Sequence, residues 1–123
     1  MLANTNVYLQ RLVALREYGF PLAEQMQREG RLNFGVYMRR CGTYGCLLGW
    51  WATTEYAQAD GWVLEDGVLP AWQDFGDMYS AEMYFGLTDG QWSPLFGINS
   101  DGTLADRRAY LDTLIAERMQ VVA

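Results

Sequence analysis

Residues 41–52 read Cys41-Gly42-Thr43-Tyr44-Gly45-Cys46-Leu47-Leu48-Gly49-Trp50-Trp51-Ala52. From Cys46 onward this is the longest strongly apolar run of the chain. A helix that is apolar on all sides has to be buried, so the remaining elements must be arranged around this one. Thr43 is placed to cap it, because its hydroxyl can accept a backbone N–H two or three residues on, and Gly42 lets the chain turn before the cap. Cys46, Leu47, Trp50, Trp51 and Thr54 then fall at helical spacing, and Asp60-Gly61 ends the element. Gly49 costs about 1 kcal/mol against alanine inside a helix. Its presence there implies that a backbone or an aromatic ring packs against it. Cys41 precedes the cap and Cys46 lies in the first turn, which brings the two thiols to the same helix entrance.

Cys41, Gly42, Thr43, Cys46, Gly49 and Trp50 spell C-G-T-x-x-C-x-x-G-W. The motif resembles one found in a family of small uncharacterised proteins from phages, prophages and bacteria. Leu32-Asn33-Phe34-Gly35-Val36-Tyr37, Tyr84-Phe85-Gly86-Leu87, Leu95-Phe96-Gly97 and the closing helix at 108–115 are similar to the same family. Together they cover most of the chain from Leu32 onward. The resemblance implies provenance and a shared core; it brings no reaction with it.

With 123 residues, half of them apolar, the chain suits one domain, 1–123, with one core. The apolar run at 46–52 is far short of the roughly 20 residues that span a bilayer. Arg11 and Arg16 interrupt the apolar positions near the N-terminus, which predicts a cytoplasmic protein without a signal peptide. Two cysteines in that compartment predict thiols.

Every basic residue is an arginine; histidine and lysine do not occur. The lack of histidine removes the usual general base and the commonest metal ligand. The lack of lysine removes Schiff-base chemistry and the phosphate-loop lysine. A zinc site would need two soft ligands beyond Cys41 and Cys46. Around Asn99-Ser100-Asp101-Gly102, Gly97 and Arg108 occupy the places where a calcium loop needs acids. The expectation is therefore no metal and no cofactor. Cys46 near a helix N-terminus is the one nucleophile candidate, set against burial as a small apolar residue.

Charge is segregated along the chain. Residues 1–40 hold six arginines and three acids, whereas residues 41–106 hold ten acids and no basic residue; the total is −6. All five tryptophans lie in that acidic middle. Such a surface repels phosphate and predicts no direct nucleic-acid binding. It suits a basic protein or nucleoprotein complex.

Residues 5–18 pattern as an amphipathic helix with Tyr8, Leu9, Leu12, Val13 and Leu15 inward, capped by Thr5 and stopped by Gly19. Phe20-Pro21 opens a second helix that Gly30 ends, with Leu22 and Met26 inward. Residues 32–38 alternate like a strand, but Gly35 weakens that pattern, and the stretch reads either way. Trp62-Val63-Leu64 and Val68-Leu69 flank Glu65-Asp66-Gly67, a hairpin signal, with residues 71–76 as loop. Residues 77–85 form a helix ended by Gly86. Thr88 and Gln91 spell a capping box with Leu87 and Trp92 as staple, and Pro94 keeps that helix to about two turns. Thr103 caps the last helix, whose inner face is Leu104, Leu111, Leu114, Ile115 and Met119. The fold class is mainly α, with five or six short helices and one small hairpin.

Trp72, in the expected loop and surrounded by Asp74, Asp77, Glu82 and Asp89, is the candidate anchor for a basic partner; its other role is to cover the hairpin. The expected function is a non-enzymatic protein-binding module. In its most concrete form this is an inhibitor of a host defence system of the anti-CRISPR kind, whose carboxylates occlude a basic nucleic-acid groove. The competing classes are a small enzyme using carboxylates or Cys46, and a regulatory or structural dimer.

Overall fold

The computed structural model describes residues 2–33, 45–67, 69–73, 77–97 and 102–122, with the side chains of 2–6, 77, 78, 121 and 122 left aside. Helical backbone runs without interruption through α1 (Leu2–Ala14), a π-helical segment (Leu15–Gly19) and α2 (Phe20–Arg28). Five helices follow: α3 (Leu47–Ala52), α4 (Glu55–Ala59), α5 (Asp77–Phe85), α6 (Asp89–Phe96) and α7 (Leu104–Val122). Between α4 and α5, β1 (Trp62–Glu65) and β2 (Leu69–Trp72) form an antiparallel hairpin.

Gly19 does not stop the first helix. Its φ of −73° is ordinary helical backbone. A Cβ there would stand 2.8 Å from Leu15 Cδ1 and 3.3 Å from Trp51 Cε3, so the glycine admits the Trp51 ring. The amide of Phe20 reaches back to Leu15 O, one residue further than in an α-turn. A proline ring collides with the carbonyl four residues before it in an α-helix. The wide turn just ahead of Pro21 gives it room. Thr5, expected as a cap, therefore lies inside α1. Gly30 (φ 74°) ends α2, with the Arg31 amide donating to Met26 O at 2.7 Å, a left-handed C-terminal closure.

All six residues of α3 are buried, Gly49 among them. The central helix is shorter than its apolar spacing predicts, for two reasons. It is capped at Cys46 (φ −83°, ψ −178°), whereas Thr43, with Cys41 and Gly42, lies outside the described residues. It also breaks at two threonines: Thr53 Oγ1 donates to Trp50 O at 2.7 Å and Thr54 Oγ1 to Trp51 O at 2.8 Å. Hydroxyls that compete for the last carbonyls unwind a helix. Thr54 then accepts from the Ala57 amide and caps α4. Before α3, Leu32 pairs with Gly45 in a single parallel bridge, and the Asn33 amide donates to Gly45 O at 2.9 Å; residues 34–38 of the ambiguous stretch lie outside the described residues.

In the hairpin Trp62 pairs with Trp72 and Glu65 with Leu69. Asp66 (φ 54°) and Gly67 (φ 72°) supply the left-handed turn. The second arm is longer than expected, so Trp72 is a strand residue, not a loop residue. Ala71 is buried and α5 packs on β2, which explains why this arm extends past Pro70.

One core joins every element. Trp51 lies against Phe85 (ring centroids 5.6 Å apart), Tyr84 against Phe85 (4.8 Å), Phe85 against Phe96 (5.6 Å) and Trp92 against Phe96 (5.4 Å). Trp50 and Met26 form a small second cluster with Leu22, Leu32 and Leu64. The Thr88–Gln91 capping box is present, and Leu87 and Trp92 join the core. Thr103 and Asp106 cap α7 reciprocally, each accepting the other's amide at 3.1 Å.

On α7 the inner face differs from expectation at two residues. Met119 is 56% exposed, while Arg107 is fully buried. The buried stripe runs 104, 107, 111, 114, and the next turn presents Arg118, whose guanidinium stands over Tyr8 of α1 at 5.6 Å and donates to Gly86 O. Arg107 is tolerated inside because its guanidinium donates to Gly102 O (3.2 Å), Leu95 O (3.1 Å) and Gly97 O (2.9 Å). It thereby ties α7 to the C-terminal end of α6. A buried cation held this way is costly to orphan.

Candidate protein-binding surface

The charge division of the sequence survives folding. Arg16 of the π segment, Arg31 just after α2 and Arg108 of α7 find acids within that same group of elements: Arg16 with Glu17 and Asp112 (both 3.6 Å), Arg31 with Glu29 (3.2 Å) and Arg108 with Glu24 (2.9 Å). In the acidic middle, Glu55 sits on α4, Glu65 and Asp66 at the hairpin tip, Glu82 on α5 and Asp89 on α6. Among the described side chains of that middle, only Asp60 comes within ion-pairing distance of an arginine, Arg11 at 3.7 Å. Consecutive packing of α4 on β1, β2 on α5 and α5 on α6 makes these elements neighbours.

Arg11 and Asp60 belong to a knot that includes Trp72. The Trp72 indole donates to Asp60 O at 2.9 Å and its amide to Ser80 Oγ at 2.9 Å. Its ring meets Tyr84 edge-on at 5.0 Å. Arg11 donates to Tyr84 O at 2.8 Å, and its guanidinium lies 4.3 Å from the Tyr84 ring and 5.1 Å from the Trp72 ring. The Tyr84 hydroxyl donates to Asp60 Oδ2 at 2.6 Å. Burial, reinforced by that carboxylate, pushes its pKa far above the ordinary range. Trp72 is thus half-buried, with its polar atom engaged inside the chain. Of the acids grouped with it, Asp74 lies outside the described residues and Asp77 begins α5.

Glu82 and Asp89 are brought side by side where α5 ends and α6 begins. Glu82 Oε1 is buried, and among the described residues no donor reaches it. Burial first, and the adjoining Asp89 carboxylate second, hold the Glu82 carboxyl above its usual range. Two carboxylates this close are held together only by the fold, and a cation or a proton between them would relieve the repulsion.

Cys46 is a free thiol, 2% exposed. Burial raises its pKa; the facing amides of Gly49 and Leu48 and the charge of Arg107 offset this only in part. A thiol in that state is a poor nucleophile. Gly49 and Trp50 are buried beside it. Trp50 donates its indole N–H to Arg31 O at 3.1 Å, with the Arg31 guanidinium 5.1 Å from its ring. Among the described residues no group of three or more potential ligands could hold a metal ion, and no helix is long and apolar enough to cross a membrane.

Two features go beyond the expectations set by the sequence. One is the buried Arg107, which the 3-4 spacing through Leu104 and Leu111 could have disclosed. The other is a groove of about 520 Å³ lined by Tyr18, Thr54, Glu55 and Tyr56. Tyr18 and Tyr56 stack there with centroids 5.5 Å apart, although they are far apart in sequence. Compared with family models, curated proteins and solved structures, the chain finds no match in any of the three.

Proposed function

We propose that this chain is a non-enzymatic protein-binding module whose acidic middle docks on a basic partner. The observation that carries this reading is the set of acids on α4, the hairpin tip, α5 and α6 that, among the described residues, meet no arginine. Ordinary surfaces intersperse the two signs, and a one-signed field serves steering or solubility. The concrete form of the reading follows from charge sign together with the phage-type motif at Cys41–Trp50. It is an inhibitor of the anti-CRISPR kind that occupies a groove built for nucleic acid, its carboxylates meeting the cations that would bind phosphate. The deeply buried, high-pKa Cys46 thiol weighs against a cysteine enzyme.

The test is the association rate with a partner captured from host lysate, followed across ionic strength. Exposed charges are screened beyond about 10 Å at 0.1 M salt, so the on-rate should fall as salt rises. Asp74→Lys, Asp77→Lys, Glu82→Lys and Asp89→Lys, each checked for folding, should lower it further. Folded variants that all associate like the parent, with the same salt dependence, reduce the acidic middle to a solubility surface.

A further inference from the structure

We propose that the groove lined by Tyr18, Glu55 and Tyr56 takes a guanidinium, the side chain of an arginine on the basic partner; this rests on the binding reading above and gives it a point of contact. The chain itself supplies the template. Arg11 lies over the rings of Tyr84 (4.3 Å) and Trp72 (5.1 Å) with the Asp60 carboxylate 3.7 Å away. Arg31 lies over Trp50 and Arg118 over Tyr8. Ring face plus carboxylate is therefore a combination with which this fold already holds arginine.

The groove has the same parts. Tyr18 and Tyr56 stack at 5.5 Å with 22° between their planes, and they keep 53% and 37% of their surface exposed. Glu55 lines the same groove. Among the described residues no arginine lies over either ring and Glu55 is in no ion pair. Thr54 adds no free polar group, since its hydroxyl donates to Trp51 O and accepts from the Ala57 amide. Among the described residues, what the groove offers a ligand is aromatic faces, the hydroxyls of its two tyrosines and one carboxylate. A volume of about 520 Å³ falls within the range of small-ligand pockets. Guanidinium is preferred to ammonium because it is planar, stacks on rings and is less strongly hydrated. The Tyr56 ring also lies 5.9 Å from that of Trp51, so the stack is anchored to the buried centre of the fold and is already formed before a partner arrives.

The experiment titrates the full chain with an alternating arginine-glycine peptide and its lysine-glycine counterpart at low ionic strength. Binding is followed by the ring-proton resonances of Tyr18 and Tyr56. The expected result is saturable shifts of both rings, tighter with arginine than with lysine. Tyr18→Ala and Glu55→Gln, both at exposed side chains, should each weaken binding about two- to fivefold. If the parent binds the peptide, both variants bind it equally well, and Glu65→Lys or Asp89→Lys abolishes binding, this inference fails while the acidic-surface reading stands. If the parent does not bind the arginine peptide at all, both fail. Should Tyr18→Ala lose its fold, Glu55→Gln and the ring shifts of the parent decide the matter.

Discussion

Two glycines show how differently one residue type can be constrained. Gly67 has φ 72° and open space where a Cβ would go, whereas Gly86 has φ 68° and the Tyr8 ring 2.8 Å from that position. Gly67→Ala should therefore cost only the left-handed strain, about 1–2 kcal/mol. Gly86→Ala adds a clash between α5 and α1 and should cost about 2–4 kcal/mol. Denaturant midpoints of the two variants check this, and equal losses would remove the role given to Tyr8. Glu82 makes a prediction of opposite sign. A carboxyl whose pKa is raised by folding favours the native state while it is protonated, and that advantage is lost as pH rises through its folded value. Its burial beside Asp89 thus costs stability at neutral pH, and Glu82→Gln should raise the melting temperature at about pH 7. The gain should shrink to nothing as pH falls below the ordinary 4.5. A gain that persists in acid would come from something other than titration.

At the scale of elements, the signals that held were those written in adjacent residues. The Thr88–Gln91 capping box, the Thr103–Asp106 cap and the Asp66-Gly67 turn each close within about four positions, so local chemistry specifies them before any packing does. The elements that moved depend on contacts distant in sequence. Gly19 looks like a stop until Trp51 arrives against it. The second hairpin arm looks like loop until α5 covers Ala71, and Met119 looks inward until Arg118 takes its place over Tyr8. The same limit governs the candidate surface. The sign of the acidic middle was legible, but the Arg11–Trp72–Tyr84–Asp60 knot and the Tyr18–Tyr56 groove join residues that no local pattern links. The break between α3 and α4 gives a direct test. Thr54 holds a carbonyl on one side and the Ala57 amide on the other. Thr54→Ala should cost about 1 kcal/mol through the lost cap. It should also speed hydrogen exchange in α4 while leaving the interior of α3 protected. Uniform loss of protection across both helices would mean that they unfold as one unit.

The whole molecule carries two charge regimes, and its behaviour toward nucleic acid depends on which one a polyanion meets. Its overall charge of −6 opposes approach. Duplex or single-stranded binding gains its energy from counterions released as cations neutralise phosphates, and that requires arginines able to leave their present partners. Among the described residues Arg28 is in no ion pair, and the other arginines are committed. Arg107 is buried against three carbonyls, Arg11 is held by Tyr84 and Asp60, and Arg16, Arg31 and Arg108 face acids at 3.6 Å or less. Individual surface pairs are weak, about 0–1 kcal/mol each, so they would not resist a strong polyanion singly. A phosphate displacing the acid from such a pair gains little, however, and leaves a carboxylate facing the incoming charge. The chain should therefore run through an immobilised oligonucleotide unretained at about 0.15 M salt, where non-specific contacts are already weakened. Arg39 and Arg40, outside the described residues, are the adjacent pair with the best chance of reversing this outcome. Salt-sensitive retention that disappears when both become alanine would assign the arginine-bearing part of the chain to nucleic acid. A nucleoprotein partner would then have to be read as touching this molecule through both of its charge regimes.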